Sequence, residues 1–453
     1  MHTIAAISTP LAPGALGVVR ISGDRAAVVA DAVFTAQSGR TLADLPGYTC
    51  LFGTVHDARG AIDQCVATRF RAPKSYTGED VVELSCHGGP YGLRRLLSAC
   101  YAAGARPAEP GEFTRRAFLN GKMDLTQAEA VMEMIGAQGD AAAKAARAGL
   151  QGRLQERIKG VRQVLVDVDA HLAAWADFPE EGVPEVDGQD LSAQLQKAAS
   201  MLDQLLSGFE GGRLLREGVE TVLAGRPNVG KSTLMNLLAG CEKSIVTSFP
   251  GTTRDVVEDT VLLGGVPLRL ADTAGLRDAA DPVEQLGVLR TRARVENAQL
   301  VLAVFDASGP VTDEDRRLVE LIGDTPAIAI LNKNDLPELF DFDFIDKNFK
   351  EHVSISAQTG AGLQQLEKAV VRVLHLESLD PAAGVLFTQR QRAAAQEARR
   401  CVQEALDALA MGMTLDGVTI SVEAAISALL ELTGEKASEA VVDAVFETFC
   451  VGK

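Results

Sequence analysis

A glycine-bounded loop between an apolar segment and a helical pattern constrains this chain more than any other feature. The segment Thr221–Leu238 reads TVLAGRPNVGKSTLMNLL, which predicts a buried strand, a loop and then a helix. Gly225 and Gly230 allow main-chain N–H groups to curl around phosphate oxygens without Cβ clashes. Lys231 can reach the outer phosphates, and Ser232 offers a hydroxyl to Mg²⁺. The stretch therefore predicts a phosphate-binding loop.

The segments around this loop predict a nucleotide-binding domain. From Gly218 to Val373, apolar strand patterns alternate with helical ones, with one hairpin at Gly264-Gly265. Such alternation predicts a mostly parallel sheet with helices on both faces. We assign residues 217–378 to an α/β domain of the Ras-like P-loop type.

The rest of the chain divides into an α+β part and a helical part. Residues 1–118 alternate short strand patterns with helices, and 119–216 and 379–453 are helical with similar compositions. We interpret the two helical segments as one discontinuous domain that receives the nucleotide domain as an insertion, because insertion is tolerated where termini lie close together. Two separate helical domains are the alternative.

Four segments carry more specific structural expectations. The segment from Ala117 to Gln151 is alanine-rich with few helix breakers, which predicts helical structure. The polar clusters Pro13–Arg20, Tyr76–Glu83 and Pro110–Thr114 interrupt the α+β domain. Spacing alone favours solvated loops for these clusters, because charged residues in turns are usually exposed.

Composition narrows the class of protein. The chain has 453 residues and a formal net charge of −17, so by bulk electrostatics it is a poor nucleic-acid binder. Any contact with RNA would need a local basic patch or a basic partner. Its seven cysteines are scattered without Cys-x-x-Cys spacing, which predicts neither disulfides nor a zinc site. We see no membrane span and no secretion signal, and we expect a cytoplasmic protein.

The loops after two later strands point to guanine as the base. Asn332-Lys333-Asn334-Asp335 follows the apolar strand Ala327–Leu331, at the sheet edge where ligands bind. A carboxylate at Asp335 can accept both guanine N1–H and N2–H, while Asn332 organises the loop and Lys333 covers the base. Main-chain groups of Ser356-Ala357 support the base after the last strand. Because these elements follow the phosphate loop in order, they predict GTP as the ligand.

Two central segments complete the GTP pattern. Asp272-Thr273-Ala274-Gly275 ends a strand, where Asp272 suits a place beside Mg²⁺ and the Gly275 N–H suits the γ-phosphate. Thr252-Thr253 offers a hydroxyl to Mg²⁺. The predicted GTP-binding residues are Asn228, Val229, Gly230, Lys231, Ser232, Thr233, Thr247, Ser248, Phe249, Pro250, Gly251, Thr252, Thr253, Asp272, Thr273, Ala274, Gly275, Asn332, Lys333, Asp335, Ser356 and Ala357.

The group that orients the attacking water is open at this point. Many GTPases place a glutamine directly after the Asp-x-x-Gly motif, but this chain has Leu276, which cannot polarise water. Glu284, Asp281 and Asp278 are the candidates in the polar stretch that follows. Glu284 could equally begin the next helix, where an acidic residue suits the helix dipole.

The source of positive charge for hydrolysis is also open. Arg254 and Arg277 could act, and so could a bound cation. Asn228 lies within the phosphate loop, where its oxygen could hold a cation between the α- and γ-phosphates.

Motifs along the entire chain resemble the tRNA-modification GTPase family called MnmE or TrmE. The central ones, GRPNVGKS, GTTRD and DTAGLR, are common to many GTPases. The more specific ones are SYTGEDVVEL (75–84), HGGP (87–90), EPGEFTRRAFLNGKMDLTQAEA (109–130) and the terminal FCVGK. The resemblance implies an N-terminal domain that dimerises and binds 5-formyltetrahydrofolate or a related tetrahydrofolate.

The resemblance also implies roles for individual residues. Glu284 would be the catalytic acid, and Ser232 and Thr253 would bind Mg²⁺. The implied potassium ligands are Asn228, Thr247, Phe249 and Thr252. The implied folate-binding residues are Arg20, Glu83, Lys122 and Lys453.

As the resemblance implies, a homodimeric, potassium-stimulated GTPase would act with the flavoprotein MnmG, in a heterotetramer, on C5 of the wobble uridine of tRNAs. Two rival hypotheses share the nucleotide motifs. One is a ribosome-assembly or translation GTPase that binds RNA directly, and the other is a non-catalytic switch that holds GTP and recruits a partner.

Overall fold

The chain forms two compact units. The structure, a computed structural model, describes residues 2–177, 187–240, 259–270, 295 and 297–453. Met1–Met132 and Leu430–Lys453 make up the first unit, and Glu133–Leu429 make up the second.

A seven-stranded sheet is the centre of the first unit. Its strands are β1 (Ile4–Ile7), β2 (Gly14–Ser22), β3 (Phe34–Ala36), β4 (Thr49–Asp57), β5 (Gly60–Phe70), β6 (Val81–Gly88) and β7 (Arg106–Pro107). Their order is β3-β4-β5-β6-β2-β1-β7, and every pair is antiparallel except β1 with β7. The helices of this part of the chain are Ala26–Val33, Pro90–Ala102, Glu112–Leu119, Leu125–Gly136 and Glu439–Glu447. The first unit is α+β, as predicted.

Alternation along the strands builds the core of this unit. In β6, Val82, Leu84 and Cys86 are buried and belong to one cluster with apolar residues of the helices Ala26–Val33 and Pro90–Ala102. Successive side chains of a strand point to opposite faces, so one face of the strand meets the helices.

The expectation of solvated loops is wrong for part of each of the three polar clusters. Gly14–Ser22 is a strand, and the second cluster merges into a strand at Val81. The third cluster contains the buried start of the helix Glu112–Leu119. In β2, Val19 and Ile21 are buried on the side of the core, while Arg20 lies between them on the other side. The period-2 alternation is present in the sequence, but the glycines and charged residues conceal it.

The segment from Ala117 to Gln151 is helical, but it is divided. Its three helices end at Leu119, Gly136 and Leu150. Gly121 has a φ of +68°, a left-handed conformation that ends a helix and that glycine adopts readily.

The C-terminal residues pack within the first unit. Phe446 and Phe449 are buried in one cluster with Leu125 and Ala128. Pro110 forms an isolated antiparallel bridge with Val451. Residues 430–453 thus make their contacts with the N-terminal part of the chain, although the sequence pattern assigns 379–453 to the helical domain. The domain boundaries stay a prediction.

A six-stranded sheet lies in the second unit. Its strands are β8 (Val219–Ala224), β9 (Asp259–Leu263), β10 (Val266–Leu270), β11 (Leu300–Asp306), β12 (Ala327–Asn332) and β13 (His352–Ser354). The order is β13-β12-β11-β8-β10-β9, and all pairs are parallel except the β9–β10 hairpin. Helices of this region are Lys231–Gly240, Asp313–Ile322, Phe342–Asn348 and Leu363–Val373. Separate apolar clusters cover the two faces of the sheet, as the alternating pattern predicts.

Further helices precede and follow this sheet in the sequence. They are Asp140–Leu150, Arg153–Asp177, Gly188–Ser207, Phe209–Glu217, Gln389–Ala410 and Leu415–Thr433, with a 3₁₀ turn at Pro381–Ala383. The segment before the sheet contacts the segment after it. The Arg399 Nε lies 2.8 Å from the Asp203 Oδ1, and Ala145 shares an apolar cluster with Val385 and Phe387. Within the described residues, no helix has both the length and the apolar character that a membrane span needs.

Candidate functional site

Parallel strands bring the predicted nucleotide residues to one edge of the six-stranded sheet. Strands β8, β11, β12 and β13 run in the same direction, so their carboxyl ends meet. The phosphate loop follows β8, Asp306 ends β11, Asn332 ends β12, and Ser356 lies just beyond β13.

The phosphate loop has no room for side chains at its two glycines. A Cβ at Gly225 would lie 2.5 Å from the carbonyl oxygen of Val304. A Cβ at Gly230, where φ is +96°, would lie 2.2 Å from the amide nitrogen of Asn332. Asn228, between the glycines, also has a left-handed φ, of +63°. At these two positions the backbone itself packs closely against its neighbours, which leaves main-chain N–H groups uncovered by side chains, as phosphate binding requires.

Lys231 is held against the loop that it follows. Its ammonium donates to the carbonyl oxygens of Gly225 at 2.6 Å and of Arg226 at 2.7 Å. Because an ammonium has three donors, a phosphate oxygen can be a third acceptor. Burial lowers the pKa of Lys231, and a ligand's negative charge would counteract that shift.

The side chain of Asn332 joins the phosphate loop to the loop after β13. Its amide nitrogen donates to the Val229 carbonyl at 2.8 Å, and its amide oxygen accepts the Ala357 N–H at 2.9 Å. Asn332 is buried, so neither main-chain group has water as a substitute partner. The predicted role of this residue as an organiser of loops agrees with these contacts.

Lys333 has a partner that the sequence did not reveal. Its ammonium lies 2.6 Å from the Asp306 carboxylate at the end of β11. Burial opposes ionisation of Asp306, but hydrogen bonds from Lys333 and Ser308 hold its pKa below the usual range. This ion pair fixes the direction of the lysine stem. In the sequence, only the position of Asp306 at the end of an apolar strand pattern could have indicated this partner.

The other residues predicted to contact the base lie in the same two loops. Asp335 is exposed, with its carboxylate available to a ligand. Ser356 is buried, and its hydroxyl accepts the Thr359 N–H at 3.2 Å. The Ala357 N–H is already used by Asn332.

Arg226 and Asp315 form a second connection that the sequence did not indicate. The Arg226 Nε lies 3.6 Å from Oδ1 of Asp315, which is fully buried. The other Asp315 oxygen accepts from the N–H and the hydroxyl of Thr312 and so caps the helix Asp313–Ile322. The phosphate loop is thereby tied to a helix that begins almost 90 residues later.

Part of the predicted nucleotide site lies outside the described residues. Ser232 and Thr233 are exposed in the first turn of the helix Lys231–Gly240. Across the described ranges, no three His, Cys, Asp or Glu side chains cluster as a metal site would require. The predicted residues outside the description are Thr247, Ser248, Phe249, Pro250, Gly251, Thr252, Thr253, Asp272, Thr273, Ala274, Gly275 and Glu284.

A separate group of charged residues lies in the first unit. Arg20 and Glu83 are directly opposite on β2 and β6, and the Arg20 Nε is 2.9 Å from the Glu83 Oε1. The Arg20 guanidinium lies over the rings of Tyr76 and Phe113, at 5.5 and 5.6 Å from their centroids. It is thus both ion-paired and in contact with aromatic faces.

The end of the chain joins this group. The Gly452 carbonyl accepts from Arg20 Nη1 at 3.4 Å and from the Ser8 hydroxyl at 3.0 Å. Burial, followed by the positive charge of Arg20, lowers the pKa of Lys453, while Glu83 acts in the opposite direction. The structure therefore brings Arg20, Glu83 and Lys453 together.

Lys122 makes its contacts apart from the group of Arg20, Glu83 and Lys453. Its ammonium donates to the Pro73 carbonyl at 3.0 Å, and the side chain is exposed. Its stem lies beside the turn at Gly78. Of the four predicted folate residues, three lie together and Lys122 has its contacts elsewhere.

Comparisons with known proteins cover the whole chain. Residues 3–122 match the family model "GTP-binding protein TrmE N-terminus", and residues 125–450 match "MnmE helical domain". A protein of Symbiobacterium thermophilum named tRNA modification GTPase MnmE is 44% identical, over 100% of this chain and 99% of its own. One of the same name from Geobacillus thermodenitrificans is 40% identical with the same coverage.

The chain belongs to the MnmE family. The predicted family is confirmed, and so is the predicted enzyme class, a GTP hydrolase in tRNA modification. Among solved structures, Era of Aquifex aeolicus is 25% identical over 40% of this chain and 66% of its own, with a TM-score of 0.27. A TM-score this low does not support a shared overall structure. The Ras-like sheet of this MnmE-family chain is supported by its strand order.

Replacing Asn332 with alanine should weaken nucleotide binding in this MnmE-family chain. The change leaves the buried Val229 carbonyl and Ala357 N–H without partners, which costs about 1–3 kcal/mol. We expect GDP affinity to fall by about tenfold or more, measured with a fluorescent GDP analogue. Asn348→Ala is the control, because that exposed amide also donates to a carbonyl but lies away from both loops. Equal affinities in the two variants would contradict the role of Asn332.

Proposed function

We propose that this chain is a potassium-stimulated GTP hydrolase that acts with the flavoprotein MnmG on C5 of the wobble uridine of tRNAs. The product would carry an aminomethyl or carboxymethylaminomethyl group, and a tetrahydrofolate would supply the one-carbon unit. The observation that carries this proposal is the match to MnmE proteins over the full length of the chain.

The nucleotide half of the proposal rests on the edge of the six-stranded sheet. Main-chain N–H groups of the glycine-bounded loop would bind the phosphates, and the Lys231 ammonium would add a positive charge beside them. Ser232 would ligate Mg²⁺ together with Thr253. Asp335 would accept the guanine donors, in a loop whose direction is fixed by Asn332 and by the Lys333–Asp306 ion pair.

Potassium would supply the charge that other GTPases obtain from an arginine. Asn228 would give one ligand, and its left-handed backbone lies between the two loop glycines. The remaining proposed ligands are Thr247, Phe249 and Thr252. Glu284 would orient the attacking water, since Leu276 cannot. A cation at the phosphates offsets the negative charge that develops in the transition state.

The folate half of the proposal rests on the charged group of the first unit. Two cations and one carboxylate lie together at Arg20, Lys453 and Glu83. The cations suit the folate carboxylates or a formyl oxygen, and Glu83 suits donors on the pterin ring. The aromatic faces of Tyr76 and Phe113 beside Arg20 suit a planar ligand. Lys122 would join only after its ammonium leaves the Pro73 carbonyl.

Assembly completes the proposal. The α+β domain would form the homodimer, and two copies would combine with MnmG and tRNA. The helical domain would receive the GTPase domain as an insertion and transmit its movement. Cytoplasmic location remains a prediction from the sequence.

Mass analysis of wobble uridines tests the function as a whole. In cells that lack this chain, the C5-modified uridines should disappear, and the wild-type gene should restore them. A gene with Lys231→Ala should fail to restore them, because the phosphate loop loses its cation. Lys368→Ala removes an exposed lysine of the helix Leu363–Val373 and should restore them fully. Unchanged uridines in the deletion strain would refute the proposal.

Steady-state GTP turnover tests the potassium site. We expect turnover in K⁺ to exceed that in Na⁺ by about tenfold or more, because the ion takes the place of an arginine. Glu284→Ala should keep GTP affinity but lose turnover in both ions. Equal rates in K⁺ and Na⁺ would remove the potassium assignment. Undiminished turnover in the variant would remove Glu284.

Removal of Lys453 should weaken binding of 5-formyltetrahydrofolate. A charge-assisted hydrogen bond contributes about 1.5–3 kcal/mol, so we expect at least a tenfold loss in affinity by titration calorimetry. Arg20→Ala should have a similar effect. Lys436→Ala is the control, since it removes an exposed lysine of the same C-terminal segment. Wild-type affinity in both site variants would exclude this pocket.

A further inference from the structure

A cavity of about 640 Å³ opens in the second unit, away from the residues of the nucleotide site. It lies where the helix Asp140–Leu150 ends and the helix Arg153–Asp177 begins. The helix Gly188–Ser207 and the turn Pro381–Ala383 form its other walls. Its volume is within the range of sites for small molecules.

The lining of this cavity is basic in an acidic chain. Lys144, Arg147, Arg153 and Arg157 line it with one acidic residue, Glu156, so four positive charges minus one negative charge leave +3. The whole chain has a formal net charge of −17. The cavity is thus a local concentration of charge opposite in sign to that of the protein.

Two of these arginines, Arg147 and Arg157, have no carboxylate partner among the described residues. Arg157 donates instead to the Gly384 carbonyl at 2.9 Å. Burial lowers the pKa of Arg157, because its guanidinium is removed from water. An anion in the cavity would compensate for that loss of hydration.

The remaining basic residues have only weak ion pairs. Arg153 lies 3.0 Å from Glu156, and Lys144 lies 3.7 Å from Asp380, and all four side chains are about half exposed or more. Such pairs contribute little and are exchanged easily for a better anion.

Backbone geometry adds to the positive potential. Arg153, Glu156 and Arg157 are in the first turns of a 25-residue helix, whose N-terminal end therefore faces the cavity. The free N–H groups and the dipole at a helix N-terminus favour anions, phosphate in particular.

Other parts of the lining suit an apolar, planar group. Met201, Ala382 and Ala383 line the cavity with accessible apolar surface, and the exposed amides of Gln151 and Gln204 offer both donors and acceptors. A ligand with an anionic end and a flat, hydrogen-bonding body would use both the basic and the apolar parts of the lining.

We propose that this cavity binds a nucleotide unit, with its phosphate on Arg147, Arg153 and Arg157 and its base against Met201, Ala382 and Ala383. The nucleotide could be free in solution or part of an RNA chain, since both present the same phosphate and base. The proposal does not depend on the function proposed above.

Equilibrium dialysis with uridine monophosphate and with inorganic phosphate tests the cavity. The full-length chain is first saturated with GDP and Mg²⁺, so that the phosphate loop is occupied. We expect saturable binding of uridine monophosphate to the wild type, and weaker binding of phosphate alone. In the double variant Arg147→Gln, Arg153→Gln, uridine monophosphate affinity should fall at least tenfold.

Lys159→Gln is the matched control, because it removes a positive charge from the same helix but not from the cavity. It should change the affinity by less than twofold. The three changed side chains are exposed, so all variants should keep the fold and the GTP turnover rate of the wild type. Absence of saturable binding to the wild type, or equal losses in the double variant and the control, would overturn the proposal.

A tRNA transcript then identifies the source of the nucleotide. If the ligand is part of an RNA chain, the double variant should also bind the transcript more weakly and with a smaller salt dependence. The slope should fall by about one unit for each phosphate that the variant no longer neutralises. If transcript affinity is unchanged while uridine monophosphate affinity falls, the ligand is a free nucleotide.

Discussion

The buried amide of Asn332 joins two loops that carry predicted nucleotide-binding residues. One loop follows β8 and carries the glycines, and the other follows β13 and carries Ser356 and Ala357. An amide can donate to one loop and accept from the other, and no apolar or charged side chain of that size does both. Neither loop can move alone without leaving a buried polar group unpaired. The predicted phosphate-binding and base-binding residues are therefore held at a fixed separation.

In the first unit, the C-terminal residues hold the charged group of Arg20, Glu83 and Lys453 together. The Gly452 carbonyl bonds to Ser8 and Arg20, and a Cβ at Gly452 would lie 2.3 Å from the Ile7 carbonyl. Gly452 also has a φ of +99°, which glycine adopts most readily. The terminal turn thus approaches β1 closely enough to place Lys453 beside Arg20. A side chain at this position would separate them.

Sequence periodicity predicted the strands and most helices of the second unit, because the alternation of strand and helix is local. It did not predict the helix Phe342–Asn348, which is only seven residues long. Of the strand Gly14–Ser22 it indicated only the apolar run from Val18 to Ile21. For the site, glycine spacing and the order of motifs indicated the loops. The Lys333–Asp306 and Arg226–Asp315 pairs were missed, because each joins residues that are far apart in sequence. The grouping of Arg20, Glu83 and Lys453 came from resemblance and not from pattern.

An acidic chain can bind anions only where the local structure provides positive potential. At the predicted phosphate loop the main-chain N–H groups would provide it, since they do not titrate and do not form ion pairs with carboxylates. In the basic cavity the positive charge comes from guanidinium groups, which pair with carboxylates whenever these are near. Among the described residues no carboxylate pairs with Arg147, and its side chain is exposed. Its guanidinium can therefore bind an anion in the cavity without first breaking an ion pair.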